Sequence, residues 1–340
     1  MAGVRLWHTR LARPLQCFMG HESGTILATW RFQDVNRTDV PSRPALGAFV
    51  LLAAGMILFG SATPVSKIVT GAMPVFIGSL LRVGLGALAL APFALPRLGE
   101  LKTVSRGDIA AMAAIALFGM VGFSAFMLYG MRMISGVGGA VVMAMTPAVT
   151  AAAAIVFFGE RASRRKLIAL ALAVGGVLIL HVSGAAGEED GGANALLGIA
   201  MIFAAVCCEA AYTLLGRKVS ADISPVLVAF VASAASIPLF AVAAAFQWSG
   251  FDALAVSAGE WAAVAWYGAG TLALGTALWY SGLSRTQGST AAVFMGLMPV
   301  SALVLSYVLL GEAFRWVHLL GFGVVFASVL LISREHMGHD

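Results

Sequence analysis

Two opposite charges stand inside apolar surroundings: Glu209 in FAAVCCEAAYTLL and Arg82 in GSLLRVGLGALAL. If these stretches cross a bilayer, each charge costs about 2.5–3.5 kcal/mol on insertion scales, so its retention points to a task. For Glu209 that task is carrying a proton or acting as counter-charge to a substrate ammonium. The structural alternative is a neutral or hydrogen-bonded carboxyl tying two helices together. Arg82 has the chemistry to hold a substrate carboxylate, or to snorkel and bond helix carbonyls. Tyr212, three residues after Glu209, shares its part of the helix face and offers a hydroxyl to the same region. Ser61 and Thr63, beside Gly60 and Pro64, are further polar candidates, although such hydroxyls commonly bond their own helix.

Pro147 and Pro299 fall near the middle of their apolar runs. Proline removes a helix hydrogen bond and frees a carbonyl, which makes a broken helix at mid-membrane depth a way to build a binding site. Met143, Met295 and Met298 lie within two turns of these prolines and offer either an adaptable lining or plain packing. Cys17 is in the polar N-terminal region, and Cys207 and Cys208 read as small buried hydrophobes. No His/Cys cluster suggests a metal, and no cofactor is expected. With no intramembrane histidine and no paired carboxylates, an enzyme acting at depth fits poorly.

These side chains need a membrane scaffold, and the composition supplies one. Hydrophobic residues make up 60% of 340 positions and charged residues 11%, against about 25% charged in an ordinary soluble domain. The net charge of +5 does not imply nucleic acid, because the basic residues sit between apolar runs rather than in a patch with interleaved aromatics. Runs of about 20 apolar residues suit helices crossing a hydrocarbon core of about 30 Å. Ten are expected, at 46–69, 75–95, 109–134, 136–158, 167–182, 195–215, 226–246, 261–283, 289–310 and 317–332. Placing the N-terminus in the cytoplasm leaves only Lys67, Arg132, Arg315 and the intramembrane Arg82 off the cytoplasmic side, out of 21 Lys and Arg. That asymmetry predicts cytoplasmic termini in the plasma (inner) membrane. The acidic loop at Glu188, Glu189 and Asp190 then faces outside.

The two halves echo each other. GVGGAVVMAMTPAV from Gly136 aligns with GSTAAVFMGLMPVS from Gly288, placing Pro147 on Pro299 and the pair Gly159–Glu160 on Gly311–Glu312. The chain therefore reads as two tandem five-helix units. Five is odd, so the second unit enters from the opposite side, and Glu160 and Glu312 face opposite compartments. The expected fold is an all-α integral membrane protein of ten transmembrane helices in two inverted repeats. Its segments are a polar, disordered cytoplasmic tail (1–44), a first repeat (45–183), an external loop (184–194), a second repeat (195–333) and a cytoplasmic tail (334–340).

These repeats, the GE pair after spans four and nine, and the pattern at Gly60, Ser61, Pro64 and Lys67 resemble the EamA-type carriers of the drug/metabolite transporter superfamily. The resemblance covers about residues 45 to 335. It implies a secondary transporter, often an exporter of amino acids or other small metabolites, driven in several members by protons or exchange. The expected partners are a small-molecule substrate and the lipid bilayer, with protons as one coupling ion, a homodimer as one arrangement and no nucleic acid. It brings no fixed set of functional side chains. Residue content alone leaves open a passive channel or a structural membrane subunit.

Overall fold

The computed structural model describes residues 46–184, 192–220, 222–286, 291 and 293–337. The expected N-terminal tail, the acidic turn at 188–190 and the last three residues lie outside the described residues. All regular structure among the described residues is helical. The elements are α1 (Leu46–Ala72), α2 (Val75–Ala94), α3 (Arg106–Ala114), α4 (Phe123–Met133), α5 (Gly136–Met143), α6 (Thr146–Phe158), α7 (Arg164–Val182), α8 (Gly192–Gly216), α9 (Pro225–Ala245), α10 (Ala258–Ala265), α11 (Gly275–Leu283), α12 (Leu297–Leu310) and α13 (Trp316–Met337). Two π-helical stretches, Ile115–Gly122 and Trp266–Leu274, join α3 to α4 and α10 to α11.

Among the described residues seven helical stretches are long and apolar enough to cross a membrane: Leu46–Ala72, Val75–Thr103, Arg106–Met133, Gly136–Phe158, Arg164–Val182, Asn194–Gly216 and Pro225–Ala245. Leu297–Leu310 and Trp316–Ile332 are apolar but shorter. Large apolar side chains such as Leu88, Phe157, Val182 and Val242 are exposed on the outer faces of these helices. Hydrocarbon accommodates such faces without the cost that water would impose. Cys207 differs from expectation: it is exposed, while its neighbour Cys208 is buried. Successive residues on a helix point about 100° apart, which here turns Cys207 outward and Cys208 into the bundle.

Local sequence sets the ends of the elements. Gly159 (φ 66°) and Gly311 (φ 64°) end α6 and α12 in the left-handed conformation that glycine adopts without a Cβ penalty. Ser163 then starts α7 by accepting the N–H of Lys166, so the charged stretch after Gly159 is a helix stop followed by a helix start. Ser105 and Ser257 each close a capping box, with Asp108 and Glu260 respectively. From Ser105 to Ser257 and from Gly159 to Gly311 the separation is the same 152 positions.

Packing interlocks the two parts of the chain. α1 lies against α11 and α12, while α8 lies against α4 and α6; α2 pairs with α9, and α7 with α13. The α7–α13 crossing is close because both sides lack side chains: a Cβ on Gly176 would stand 2.6 Å from the carbonyl oxygen of Gly321, and one on Gly321 3.0 Å from that of Gly176. Small residues at such crossings let backbones approach where no hydrophobic force drives helices together.

Candidate functional site

The expected fourth span is broken. α5 stops at Met143 and α6 restarts at Thr146, with Ala144 and Met145 in a turn and Pro147 in the first turn of α6. Proline has no N–H to donate, so it suits the start of a helix and forbids continuous bonding through the joint. A matching turn at Met295 and Gly296 precedes α12, where Pro299 is again near the helix start. Met143 is buried, while Met295 is 39% exposed.

Glu209, on α8, is brought to the first of these joints. Its Oε2 lies 3.0 Å from Thr146 Oγ1, and that same hydroxyl lies 2.8 Å from the carbonyl oxygen of Met143. The carbonyl freed by the helix break and the intramembrane carboxyl therefore meet on one hydroxyl. Tyr212, one turn along α8, sits over Gly119 of the first π-helical stretch, where a Cβ would crowd its ring. Gly122, at the end of that stretch, faces the sulfur of Cys208. The π stretch thus packs its glycines against the α8 face that carries Glu209, as π-bulges frequently do beside functional groups.

Arg82, on α2, is buried at 6% exposure. Its Nη1 donates to Ser124 Oγ at 2.5 Å, and its guanidinium carbon stands 5.2 Å from the ring centre of Phe123 and 4.8 Å from that of Tyr267. Among the described residues it makes no ion pair with Glu209 or any other carboxylate. Arg82 meets the first residues of α4, Phe123 and Ser124, and Cys208, next to Glu209 on α8, meets Gly122 just before them.

Ser61 is buried on α1, donates to the carbonyl of Leu58 at 2.6 Å and accepts from Trp266 Nε1 at 2.9 Å. It therefore both bonds its own helix and ties α1 to the second π-helical stretch. Thr63 is buried nearby, its methyl 3.6 Å from where a Cβ of Gly139 would lie. Thus Glu209, Met143 and Pro147 gather at the α5–α6 joint, Tyr212 packs on the first π-helical stretch, Arg82 sits at the start of α4 against Tyr267, and Ser61 belongs to the α1–Trp266 contact. A surface groove of about 410 Å³ is lined by Ser105, Asp108, Leu215 and Lys218 among others, and by neither Glu209 nor Arg82.

Charges at the helix ends have defined partners. Lys67 Nζ donates to the carbonyl of Ile134 at 2.9 Å, and Arg132 donates to the carbonyls of Thr70 and Met73 at 3.1 and 3.0 Å. Each cation meets the carbonyl end of the other's helix, where the dipole favours it. Glu312 reaches the start of α5, its Oε1 accepting from Gly136 N–H and its Oε2 from Val137 N–H at 2.9 Å. Glu160 instead pairs with Lys166 at 3.0 Å and Arg217 at 3.3 Å.

Sequence reasoning missed Thr146, Ser124, Trp266 and Tyr267. Thr146 had a signal, a hydroxyl directly before the proline of a broken helix. The others come from distant segments and had none.

Helices of this length and apolarity make up a multi-pass membrane protein. The sequence profile of the EamA-like transporter family matches residues 46–182 and again 196–334, so the chain belongs to that family. It is 30% identical over 286 residues to the uncharacterized transporter YetK of Bacillus subtilis (strain 168), covering 84% of this chain and 86% of that one. It is 25% identical over 287 residues to a probable terminal-alkyne amino-acid exporter of Streptantibioticus cattleyicolor, covering 84% of this chain and 93% of the other. A solved crystal structure shares the fold with a TM-score of 0.56 at 17% identity, covering 85% of this chain and 98% of that one.

Proposed function

We propose that this transporter is a proton-linked secondary carrier that exports a small metabolite of amino-acid size across the plasma membrane by alternating access. In this reading ten helices form two five-helix repeats of opposite orientation, with both termini in the cytoplasm. The double family match, the capping boxes and left-handed glycines recurring 152 positions apart, and the exchange of α1 and α8 between the two parts support the duplication. The excess of basic residues in alternate loops supports the orientation. A relative named as an amino-acid exporter supports the substrate size.

The observation that carries proton linkage is the single hydroxyl shared by Glu209 and Met143. Thr146 has one proton to give and two acceptors to serve. When Glu209 is protonated it supplies its own proton to Thr146 Oγ1, and Thr146 donates to the Met143 carbonyl, so every atom is satisfied. When Glu209 is ionised, Thr146 can bond either the carboxylate or the carbonyl, and one acceptor loses its donor. Leaving a buried acceptor unsatisfied costs about 1–3 kcal/mol. Loss of the proton thus acts directly on the α5–α6 joint, a hinge within the broken span. The positive charge of Arg82 acts on Glu209, and Glu209 in turn acts on the Tyr212 hydroxyl.

Glu209→Gln tests this in proteoliposomes with an imposed pH gradient. The amide keeps the shape but titrates no proton, so gradient-driven flux should disappear while the protein inserts normally. Gradient-driven flux equal to wild type removes Glu209 as the coupling group.

A further inference from the structure

Three polar atoms are fully buried without a hydrogen-bond partner in one neighbourhood: Arg82 Nε, Ser79 Oγ and the hydroxyl of Tyr267. Ser79 precedes Arg82 by three residues on α2 and so shares its face. Tyr267, on the second π-helical stretch, is 0% exposed and holds its ring against the guanidinium. Native interiors pair the large majority of such atoms, and an ionised group left in this condition is costly.

The orientation of the guanidinium gives the shape of what it would bind. Nη1 is committed to Ser124, and the rings of Phe123 and Tyr267 lie against the group. The Nε edge carries the unused donor. A guanidinium presents along that edge two parallel N–H bonds whose spacing matches the two oxygens of a carboxylate. Among the described residues no carboxylate of the chain pairs with Arg82. One cation with a hydroxyl donor beside it balances a planar monoanion, whereas a phosphate dianion would call for further positive charge.

We propose that Arg82 and Tyr267 anchor the carboxylate of the transported molecule, so that the carrier selects substrates bearing a carboxyl group. Arg82 binds side-on through its Nε edge, with Ser124 fixing the far side of the guanidinium. Tyr267 donates its hydroxyl to the carboxylate, and Ser79 supplies a second hydroxyl one turn away. This rests on the carrier reading above and names the chemical class that the carrier moves.

The test is exchange from proteoliposomes loaded with an equimolar mixture of the twenty protein amino acids, their decarboxylated amines and their deaminated acids. Carboxyl-bearing members should be exchanged and the amines retained. Amines that exchange as well as their parent amino acids overturn the anchor but leave the carrier standing. No exchange of any class refutes the carrier reading and the anchor with it. Arg82→Lys, which keeps the charge but loses the two-pronged edge, should abolish exchange of the carboxyl-bearing probes. Tyr267→Phe preserves the ring and its packing, and should raise their half-saturation concentration roughly tenfold, as expected for one hydrogen bond to a charged group. Wild-type half-saturation in Tyr267→Phe would overturn the role of the hydroxyl, and wild-type exchange in Arg82→Lys the role of the anchor.

Discussion

Glu312 Oε2 lies 2.9 Å from the backbone nitrogen of Val137, and its other oxygen accepts from Gly136. A carboxylate after the last turn of α12 thereby caps the first turn of α5, a helix distant in sequence. Both bonds are charge-assisted and sit at the positive end of a helix dipole. Replacing Glu312 by Ala should cost about 1–2 kcal/mol of stability and speed hydrogen exchange at the Gly136 and Val137 amides. Unchanged exchange at those two amides would show that the cap contributes nothing.

Thr146→Val and Thr146→Ser separate the hydroxyl from the shape of its side chain. Valine keeps the volume and leaves both Glu209 and the Met143 carbonyl without their shared partner, whereas serine retains it. Gradient-driven flux should fall at least tenfold in the valine variant, on the scale of about 1–3 kcal/mol for an unsatisfied buried acceptor, and recover most of its rate with serine. Equal rates in the two variants would remove the hydroxyl from the mechanism.

Two adjacent glycines of α7 should respond in opposite directions. A Cβ on Gly176 meets the Gly321 carbonyl and Val325, while one on Gly175 meets nothing within 4 Å. Gly176→Ala should destabilise the protein by about 1–3 kcal/mol through overpacking. Gly175→Ala should be neutral or stabilise by up to about 1 kcal/mol, because alanine favours helix. Unfolding in mixed micelles reads both values, and a Gly176→Ala protein as stable as wild type would contradict the close crossing.

Hydrogen bonds from the Ser257 backbone N–H and then its hydroxyl hold the Glu260 carboxyl below the usual carboxylate range. Its folded pKa is thus below the unfolded one, so the cap's contribution is present above the ordinary glutamate range and is lost as pH falls through the lowered folded value. Exchange at the Ser257 amide should accelerate across that acid window in wild type. In Ser257→Ala, where the hydroxyl is gone, the carboxyl should titrate nearer to its ordinary value. An identical acid profile in both proteins would dissociate the shift from the capping box.

Seven of the ten expected spans stand among the described residues as long apolar helices, legible because apolar length in a bilayer leaves few alternatives, and Gly159, Ser163 and Gly311 marked helix ends through backbone preferences that act locally. The break beside Pro147 was legible for the same reason. What Glu209 bonds to was not, since its partner lies 63 positions away and a single sequence does not say which helix faces meet. The same holds for Arg82: its depth among apolar residues could be read, but its contact with Tyr267, brought in by the second π-helical stretch, depends on tertiary packing. Lys67 and Arg132 were counted only as charges off the cytoplasmic side, and each caps the carbonyl end of the helix it lies against.

The opposed orientation of the two repeats is tested most directly by single cysteines at Arg161 and Ala313, beside Glu160 and Glu312, with Cys17, Cys207 and Cys208 replaced by serine. A membrane-impermeant maleimide applied to intact cells should label position 313 and leave 161 unlabelled until the cytoplasmic face is opened. Labelling of both positions from the same side would contradict inverted repeats, and alternating access by two opposed halves would have to be abandoned.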